Sequence, residues 1–306
     1  MAIVVENLVK TYRAVRAVDD VSFEVSDGAA FAFLGSNGAG KSTTIACLTT
    51  LRAFDSGSVR VGGYDVRTAG EDVRRTIGVV FQDSLMDDAL TVRENLRFRA
   101  SLMHLDRVRT NARIAELSEL IELDEFLDRP YGKLSGGQRR RADIARALIH
   151  EPRIVFLDEP TAGLDPASRI AVWRTIQTLR IQNGLTVFLT THYMEETEEA
   201  DDVCIVDAGR IVARGTPRQL RARYSRSILT VTSSDPAGLG DLARRDGLEV
   251  TTDGALVRLT VPDATVARTL LAAHGDSVRD FEFRHGRMDD VFLAVTGHPN
   301  DAEAAA

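Results

Sequence analysis

Apolar residues in the first two thirds of the chain form short runs that are typical of buried strands. Ala29–Leu34 is an almost continuous apolar run, which favours a central strand, and Ile3–Val5 and Val21–Val25 are also strand-like. Further candidate strands, separated by stretches of helical periodicity, are Ile77–Phe81, Ile154–Leu157 and Thr186–Leu189. Strands that alternate with helices in this way predict a parallel sheet covered by helices.

The stretch Thr91–Leu123 has helical periodicity and mixed charge, which predicts a helical lobe beside the sheet. A second change occurs at Arg221–Arg226, which we interpret as the end of a helix that leads into a linker. Beyond it the pattern gives strand, helix, two strands, helix, strand and a final helix, the order of a ferredoxin-like sandwich. The sequence therefore predicts an α/β domain over residues 1–225, a small α+β appendage over 226–297 and a disordered tail over 298–306.

Composition narrows the range of partners. The 306 residues carry a formal net charge of −7, which argues against a polyanion such as DNA. The arginine-rich helix Arg139–Arg146 has no interleaved aromatic residues, so we expect it to be a solvated helix face rather than a nucleic-acid site. No window approaches the roughly 18 apolar residues of a membrane span, and Glu6 and Lys10 interrupt the N-terminal apolar run that a signal peptide needs. We expect no nucleic-acid partner. If the protein acts at a membrane, we expect it to act from the membrane surface and not to span the bilayer.

A glycine-rich segment directly follows the apolar run Ala29–Leu34 and precedes a helical stretch. Its residues match the phosphate-binding loop pattern: Gly35, Ser36, Asn37, Gly38, Ala39, Gly40, Lys41, Ser42 and Thr43. Glycines let successive N–H groups point into one hollow, and the start of the helix adds partial positive charge. Lys41 is expected to reach the β- and γ-phosphates of ATP, and Ser42 to bind Mg²⁺. A mere glycine-rich turn would require one of only three lysines in the chain to match this pattern by chance.

An apolar strand that ends in two carboxylates supplies the second half of a nucleotide site. Asp158, at the carboxyl end of Ile154–Leu157, is expected to hold Mg²⁺ through water. Glu159 is expected to polarise the attacking water. Taken alone, Asp158-Glu159-Pro160 is equally compatible with an acidic turn, and it is the phosphate loop that favours the catalytic interpretation.

A second anion-binding helix start lies at Leu134–Gln138. Ser135 suits an N-cap, and Gly136 and Gly137 let a ligand approach the backbone closely. A single ATP does not need two such helix ends from one subunit. We therefore expect this segment to close over the ATP that another copy holds.

The order of these motifs resembles the ATP-binding cassette (ABC) transporter ATPases over residues 3–220. The elements that carry the resemblance are the phosphate loop, Gln82 after an apolar strand, Leu134–Gln138, the Asp158–Glu159 strand, Asp165 and His192. The most specific of them is Leu-Ser-Gly-Gly-Gln shortly before the Asp-Glu pair, which other phosphate-loop proteins lack. One departure is Ser36, where relatives often carry proline.

The resemblance implies roles that these residues do not establish singly. Tyr12 would stack on adenine, and Gln82 would sense Mg²⁺ and face the membrane partner. Asp165 would run along the dimer seam, and His192 would contact the γ-phosphate and join Lys41 and Glu159 in catalysis. Contacts to the γ-phosphate of the opposite subunit would come from Ser135, Gly136, Gly137 and Gln138. A lone tyrosine or histidine is more often structural, so these assignments depend on the joint order.

The C-terminal segment Met288–Gly297 resembles a narrower group, the daunorubicin/doxorubicin-resistance exporter ATPases, whose appendages end in a similar Asp-Val-Phe-Leu-x-x-Thr-Gly. This resemblance implies an ATP-hydrolysing subunit that energises efflux of a hydrophobic drug, antibiotic, polyketide or lipid through a separate integral membrane permease. The subunit would work as a homodimer, or paired with a second cassette, on the cytoplasmic face of the cell membrane.

The alternative is a non-transport ABC-type ATPase that acts on a macromolecular partner. An ATPase that acts on ribosomes would normally carry two cassettes in one chain. A DNA-repair ATPase would insert a coiled coil or zinc motifs between the phosphate loop and Leu134–Gln138. The sequence contains one cassette and neither insertion, which favours the transporter subunit.

Overall fold

The structure is a computed structural model that describes residues 1–297, so the tail expected over residues 298–306 lies outside the described residues. Contacts divide the chain into two compact units, Met1–Arg214 and a second that begins at Gly215. The sequence places this boundary after residue 225. The two positions differ because the helix Pro217–Tyr224 packs against the last helix, Met288–Thr296, and so belongs with the second unit.

The first unit alternates strands and helices over most of its length. Its strands are β1 (Ile3–Tyr12), β2 (Val15–Val25), β3 (Ala30–Leu34), β4 (Ser56–Val61), β5 (Tyr64–Asp65), β6 (Ile77–Val80), β7 (Ile154–Asp158), β8 (Thr186–Thr191), β9 (Asp202–Asp207) and β10 (Arg210–Gly215). Its helices are α1 (Lys41–Leu48), α2 (Gly70–Thr76), α3 (Val92–Leu102), α4 (Arg107–Ile121), α5 (Gly136–Leu148), α6 (Pro166–Asn183) and α7 (Met194–Thr197). The helical lobe expected over Thr91–Leu123 corresponds to α3 and α4.

Two sheets organise this unit. One has the order β10-β9-β3-β8-β7-β6, and its pairs β3–β8, β3–β9, β7–β8 and β6–β7 are parallel. The other has the order β2-β1-β4-β5 and is antiparallel. The strands β3, β7 and β8 of the parallel part are buried along their whole length because both of their faces are covered. The prediction of a mixed α/β fold with a helical lobe is confirmed.

An aromatic cluster joins the two sheets. Phe23 of β2 meets Phe31 and Phe33 of β3, and the ring centroids of Phe23 and Phe31 are 5.2 Å apart. Phe188 of β8 lies 5.3 Å from Phe31 and 5.4 Å from Phe156 of β7. All five rings are buried. This cluster therefore fixes the antiparallel sheet against the parallel strands that carry the candidate site.

The second unit contains α8 (Pro217–Tyr224), β11 (Ser227–Ser233), α9 (Pro236–Arg245), β12 (Glu249–Asp253), β13 (Leu256–Val261), α10 (Ala264–Ala273), β14 (Val278–Arg284) and α11 (Met288–Thr296). Its strands form an antiparallel sheet of order β12-β13-β11-β14. This order is that of a ferredoxin-like βαββαβ unit, as predicted. Val291 and Phe292 of α11 are buried. No helix in residues 1–297 is long and apolar enough to cross a membrane.

Substitution of Phe188, which is 0% exposed, tests how much the aromatic cluster contributes to stability. We expect Phe188→Ala to lower the free energy of unfolding by about 3–5 kcal/mol, because the lost ring leaves a cavity between the sheets. The matched control is Phe98→Ala on α3, where the ring is 62% exposed, and it should change stability by less than about 0.5 kcal/mol. Denaturant unfolding measures both. Equal losses would contradict this placement of the core.

Candidate functional site

Four of the predicted site segments follow parallel strands at the same edge of the sheet. Gly35 follows β3, Gln82 comes shortly after β6, Glu159 follows β7 and His192 follows β8. Because β3, β8, β7 and β6 are neighbours and run in the same direction, their carboxyl ends lie side by side. This edge is where open α/β sheets bind ligands.

Backbone conformation shapes the phosphate loop. Gly40, at the N-cap of α1, has φ 103°, and a side chain there would place its Cβ 2.3 Å from the carbonyl oxygen of Ala17. Gly38 has φ 84° with open space around the position of a Cβ. The loop thus needs glycine at Gly40 for close packing, whereas Gly38 leaves room above the backbone for a bound group.

The β1–β2 hairpin borders this loop, because Ala17 lies on β2. Tyr12 ends β1, where it pairs with Val15 at the tip of the hairpin. Its ring is 41% exposed, and the ammonium of Lys10 lies 5.3 Å from the ring centroid. Stacking of Tyr12 on adenine stays a prediction, and the exposed ring is accessible for it.

Lys41 begins α1 and is only 5% exposed. Its ammonium donates to the carbonyl oxygens of Gly35 at 2.8 Å and Ser36 at 3.1 Å. The same nitrogen lies 3.5 Å from Oε1 of Glu159. The buried charge is therefore held at the floor of the loop by oxygen atoms, and the role of this ammonium toward phosphates stays a prediction.

Ser42 and Asp158 come together across the sheet edge. The hydroxyl of Ser42 donates to Oδ1 of Asp158 at 3.3 Å, and the hydroxyl of Thr190 donates to the same oxygen at 2.5 Å. In residues 1–297 no group of three or more His, Cys, Asp or Glu side chains could hold a metal alone. The Ser42–Asp158 oxygen pair nevertheless suits Mg²⁺, which takes few protein ligands and completes its shell with water and phosphate oxygens.

Glu159 has a strained backbone conformation, and its carboxylate lies between the side chains of Lys41 and His192. Its φ is 47°, in the left-handed region, which costs a non-glycine residue on the order of 1–3 kcal/mol. Nδ1 of His192 lies 3.3 Å from Oε1. The hydrogen bond from His192 and then the charge of Lys41 hold the pKa of the Glu159 carboxyl below its ordinary value, although burial opposes them. Strain at this carboxylate is typical of a functional position.

Ser135 and Gln138 form a capping box at the start of α5. Gln138 N–H donates to the Ser135 hydroxyl at 3.3 Å, and Ser135 N–H donates to Oε1 of Gln138 at 3.1 Å. A Cβ on Gly137 would come within 2.7 Å of the Ser168 hydroxyl, and one on Gly136 within 3.0 Å of Leu164. Both glycines thus admit a close approach, which in this chain is made by the start of α6.

Asp165 caps α6, where its carboxylate accepts from Ser168 N–H at 3.0 Å. Hydrogen bonds from Ser168 hold the pKa of Asp165 below its usual value. The structure brings Asp165 next to the Ser135–Gln138 segment through Leu164 and Ser168. The contacts of these two segments with another copy stay predictions.

The contacts of Thr190 and the burial of two arginines on α5 escaped the sequence analysis. Thr190 is 0% exposed and supports both Asp158, through its hydroxyl, and Glu159, whose N–H lies 3.2 Å from Thr190 Oγ1 and from its carbonyl oxygen. The sequence feature that indicates this position is the pair of threonines, Thr190 and Thr191, which ends the buried strand β8 directly before His192. The expectation of a solvated face at Arg139–Arg146 is wrong for Arg140 and Arg146, which are 7% and 8% exposed. A run of arginines gives no sign of which members turn inward.

Comparison with known proteins agrees with this geometry. A family model described as ABC transporter matches residues 18–162. The daunorubicin/doxorubicin resistance ATP-binding protein DrrA of Streptomyces peucetius is 38% identical over 310 residues, covering 98% of this chain and 94% of that protein. The Nod factor export ATP-binding protein I of Mesorhizobium japonicum is 35% identical, covering 94% of this chain and 84% of that protein.

Among solved structures, a dimeric ATP-binding cassette in a post-hydrolysis state, bound to ADP and phosphate, matches with a TM-score of 0.63 and 26% identity. The match covers 70% of this chain and 98% of that one. The chain belongs to the ATP-binding subunits of the ABC transporter family. It binds ATP and is an ATPase of that family.

Thr190 provides a test of the metal arrangement. We expect Thr190→Val to raise the Mg²⁺ concentration needed for half-maximal ATPase activity by about tenfold or more, because Asp158 loses the hydroxyl that orients it. The matched control is Thr186→Val at the other end of β8, which removes a hydroxyl that accepts from Gly28 N–H at 2.9 Å. Both threonines are buried. The assignment fails if the two variants need the same Mg²⁺ concentration.

Proposed function

We propose that this chain is the ATP-hydrolysing subunit of an ABC exporter, which energises efflux of a hydrophobic drug, antibiotic, polyketide or lipid through a separate membrane permease. The observation that carries the hydrolytic part is the meeting of Lys41, Ser42, Asp158, Glu159 and His192 at one edge of the sheet. These are an ammonium, two oxygen ligands, a carboxylate and an imidazole. Together they fit phosphoryl transfer from Mg·ATP to water.

Residues of the loop Gly35–Thr43 would bind the phosphates. Lys41 stands within reach of the loop carbonyls and of Glu159, so its ammonium would exchange these oxygens for phosphate oxygens when ATP enters. Mg²⁺ would be held by Ser42 and Asp158, with Gln82 nearby on the neighbouring strand end, and would neutralise charge on the phosphates. Adenine would stack on Tyr12.

Glu159 would orient the attacking water. Since its pKa is held below the ordinary value, the carboxyl is ionised at neutral pH and can accept a hydrogen bond from water. When the Lys41 ammonium moves to the phosphates, Glu159 would lose this contact and keep its contact with His192. The imidazole of His192 would also contact the γ-phosphate. The strained backbone at Glu159 would keep the carboxylate in place for this step.

A second copy would complete the site. The helix start at Ser135–Gln138 offers N–H groups and a partial positive charge to an anion, and the phosphate loop of the same chain already provides one such end. Support comes from the related cassette that is dimeric with ADP and phosphate bound. Asp165, beside Ser135–Gln138, would then lie along the seam. A homodimer, or a pair with a second cassette, follows.

A groove in the first unit suits a membrane partner. It encloses about 500 Å³ and borders the Gln82 loop on both sides, through Phe81 and Leu85. Leu85, Leu102 and Leu51, each more than half exposed, line it together with Arg74, Arg75, Arg99 and Arg146. In the described part of the chain, the Nε atoms of Arg99 and Arg146 are buried without a hydrogen-bond partner. A permease segment with apolar side chains and a carboxylate would cover the leucines and pair with the arginines that line the groove.

The export part of the proposal is supported by the relatives. Two of them are named for daunorubicin resistance and for Nod factor export, and each alignment spans more than nine tenths of this chain. Docking through the groove would place the subunit at the cytoplasmic face of the cell membrane, peripheral to it.

Glu159→Gln tests the hydrolytic role. We expect ATP binding to persist while turnover falls by about 100-fold or more, because the amide cannot act as the anionic acceptor for water. The variant should form a dimer that persists in Mg·ATP, which size-exclusion chromatography detects. The matched control is Glu199→Gln, an exposed carboxylate outside the site. Normal turnover by Glu159→Gln, or a variant that stays monomeric, would refute the assignment.

Leu85→Arg tests the groove. We expect the free subunit to keep its ATPase activity, because Leu85 is 62% exposed. The fraction recovered with membranes from cells that express the complete transporter should fall, because the substitution removes an apolar contact and would bury a charged side chain against the apolar side chains of the partner. Ile181→Arg, at a 75% exposed position on α6, is the control. Parent-like recovery of Leu85→Arg would show that the partner docks elsewhere.

A further inference from the structure

Helix α5 is bound to strand β6 through side chains. Because β6 is the edge strand of the parallel sheet, its outward carbonyl groups have no neighbouring strand. Nε2 of His150, just beyond α5, lies 2.9 Å from the carbonyl oxygen of Ile77. Guanidinium groups of Arg146 and Arg140 donate to the carbonyl oxygens of Val79 at 2.9 Å and Phe81 at 2.7 Å. The carbonyl groups of Ile77, Val79 and Phe81, which alternate along β6 and just beyond its end, thus all contact side chains from α5 or from the residue just beyond it.

The same helix also holds the segment beyond Gln82. Asp143 of α5 accepts a hydrogen bond from the Ser84 hydroxyl at 2.5 Å and one from the Tyr131 hydroxyl at 3.1 Å. Gln82 therefore lies between two anchored positions, Phe81 and Ser84. The segment of residues 77–84, here the Gln82 segment, is fixed to the helix that begins with Ser135–Gln138.

Arg140 makes a second connection that the other side chains do not. Its Nη2 atom donates to the carbonyl oxygen of Glu159 at 3.0 Å, while Nη1 donates to the carbonyl oxygen of Phe81. The guanidinium is buried, and it bridges two different strand ends. Glu159 is also the residue with the left-handed backbone, so its peptide needs an external partner to stay in this conformation.

We propose that Arg140 is a positioning residue for ATP hydrolysis. It holds the backbone of Glu159 and the start of the Gln82 loop at a fixed separation and ties both to the helix that carries Ser135–Gln138. Arg140 acts through these groups and not on the phosphates or the water. The proposal deepens the proposed function, since it rests on the role given there to Glu159.

Only arginine fits this position. A planar guanidinium presents donors in a rigid fork and can serve two carbonyl groups at once, whereas a lysine ammonium is a point charge on a flexible stem. Arg140→Lys thus keeps the charge and removes the bridge. The matched control is Arg141→Lys on the next residue, whose guanidinium donates to Glu122 at the end of α4, away from Glu159.

The experiment measures steady-state ATPase activity against ATP concentration for both lysine variants of the full chain, with their melting temperatures. For Arg140→Lys we expect kcat to fall by about tenfold or more, since a displacement of about 1 Å can cost on the order of 100-fold. KM for ATP should stay within about threefold of the parent, because the phosphate contacts are intact. Arg141→Lys should leave kcat within about twofold, with a similar melting temperature.

Two results would overturn the proposal. One is a kcat of Arg140→Lys equal to that of Arg141→Lys; the other is a lost kcat matched by an equal rise in KM or by a lowered melting temperature, which indicates general damage. If Arg140→Lys does not fold, Arg140→Gln, which also lacks the fork, is judged by the same criteria. Glu159→Gln, measured alongside, separates the role of Glu159 from the role of Arg140. Parental turnover by Glu159→Gln refutes the role of Glu159 itself. If Glu159→Gln loses turnover while Arg140→Lys keeps the parental kcat, only the positioning role of Arg140 is refuted.

Discussion

Two opposite charges, Lys41 and Glu159, are buried together at the carboxyl edge of the parallel sheet. Their side-chain nitrogen and oxygen are 3.5 Å apart, and each residue is less than 10% exposed. A charge in such a place is tolerated only when a partner and hydrogen bonds compensate it. The constraint explains why the phosphate loop, the end of β7 and His192 interlock, since each supplies a group that one of these two charges needs.

The surrounding structure maintains that pair. Strand order brings the segments to one edge, the aromatic cluster packs the antiparallel sheet against the parallel strands, and Thr190 joins Asp158 to the backbone of Glu159. Arg140 extends the connection to β6 and α5. A substrate whose phosphates draw Lys41 away would change the surroundings of Glu159 at the same moment, so that binding and preparation of the carboxylate are one event.

Local patterns predicted the parts of the fold that are uniform along the sequence. The apolar runs Ala29–Leu34 and Ile154–Leu157 correspond closely to β3 and β7, because a strand buried on both faces is apolar along most of its length. The sequence analysis names no strand at β4, β5, β9 or β10; of these, β4 begins with exposed serine and glycine that look like a turn, and β5 has only two residues. The sequence pattern predicts the order of strands and helices in the second unit but assigns α8 to the first unit, because the helix that α8 packs against, α11, is distant in sequence.

The candidate site shows a similar division. The sequence motifs were enough to place residues such as Lys41 and Asp158 in one candidate site, because the spacing of each motif fixes its position after a buried strand. Thr190 and Arg140 could not, because their importance depends on hydrogen bonds to groups far away in the chain, and an arginine within a basic run looks like any other. Long-range contacts of this kind become visible only in the folded structure.

The central claim is that each ATP is enclosed by Lys41 of one copy and Ser135–Gln138 of another. Mixing two inactive variants tests it most directly: Lys41→Ala keeps the helix start, and Ser135→Arg keeps the phosphate loop. A mixed dimer has one intact composite site, so the account predicts that an equimolar mixture regains up to about a quarter of the parental ATPase activity, whereas either variant alone stays inactive. A mixture as inactive as its components would contradict the shared site.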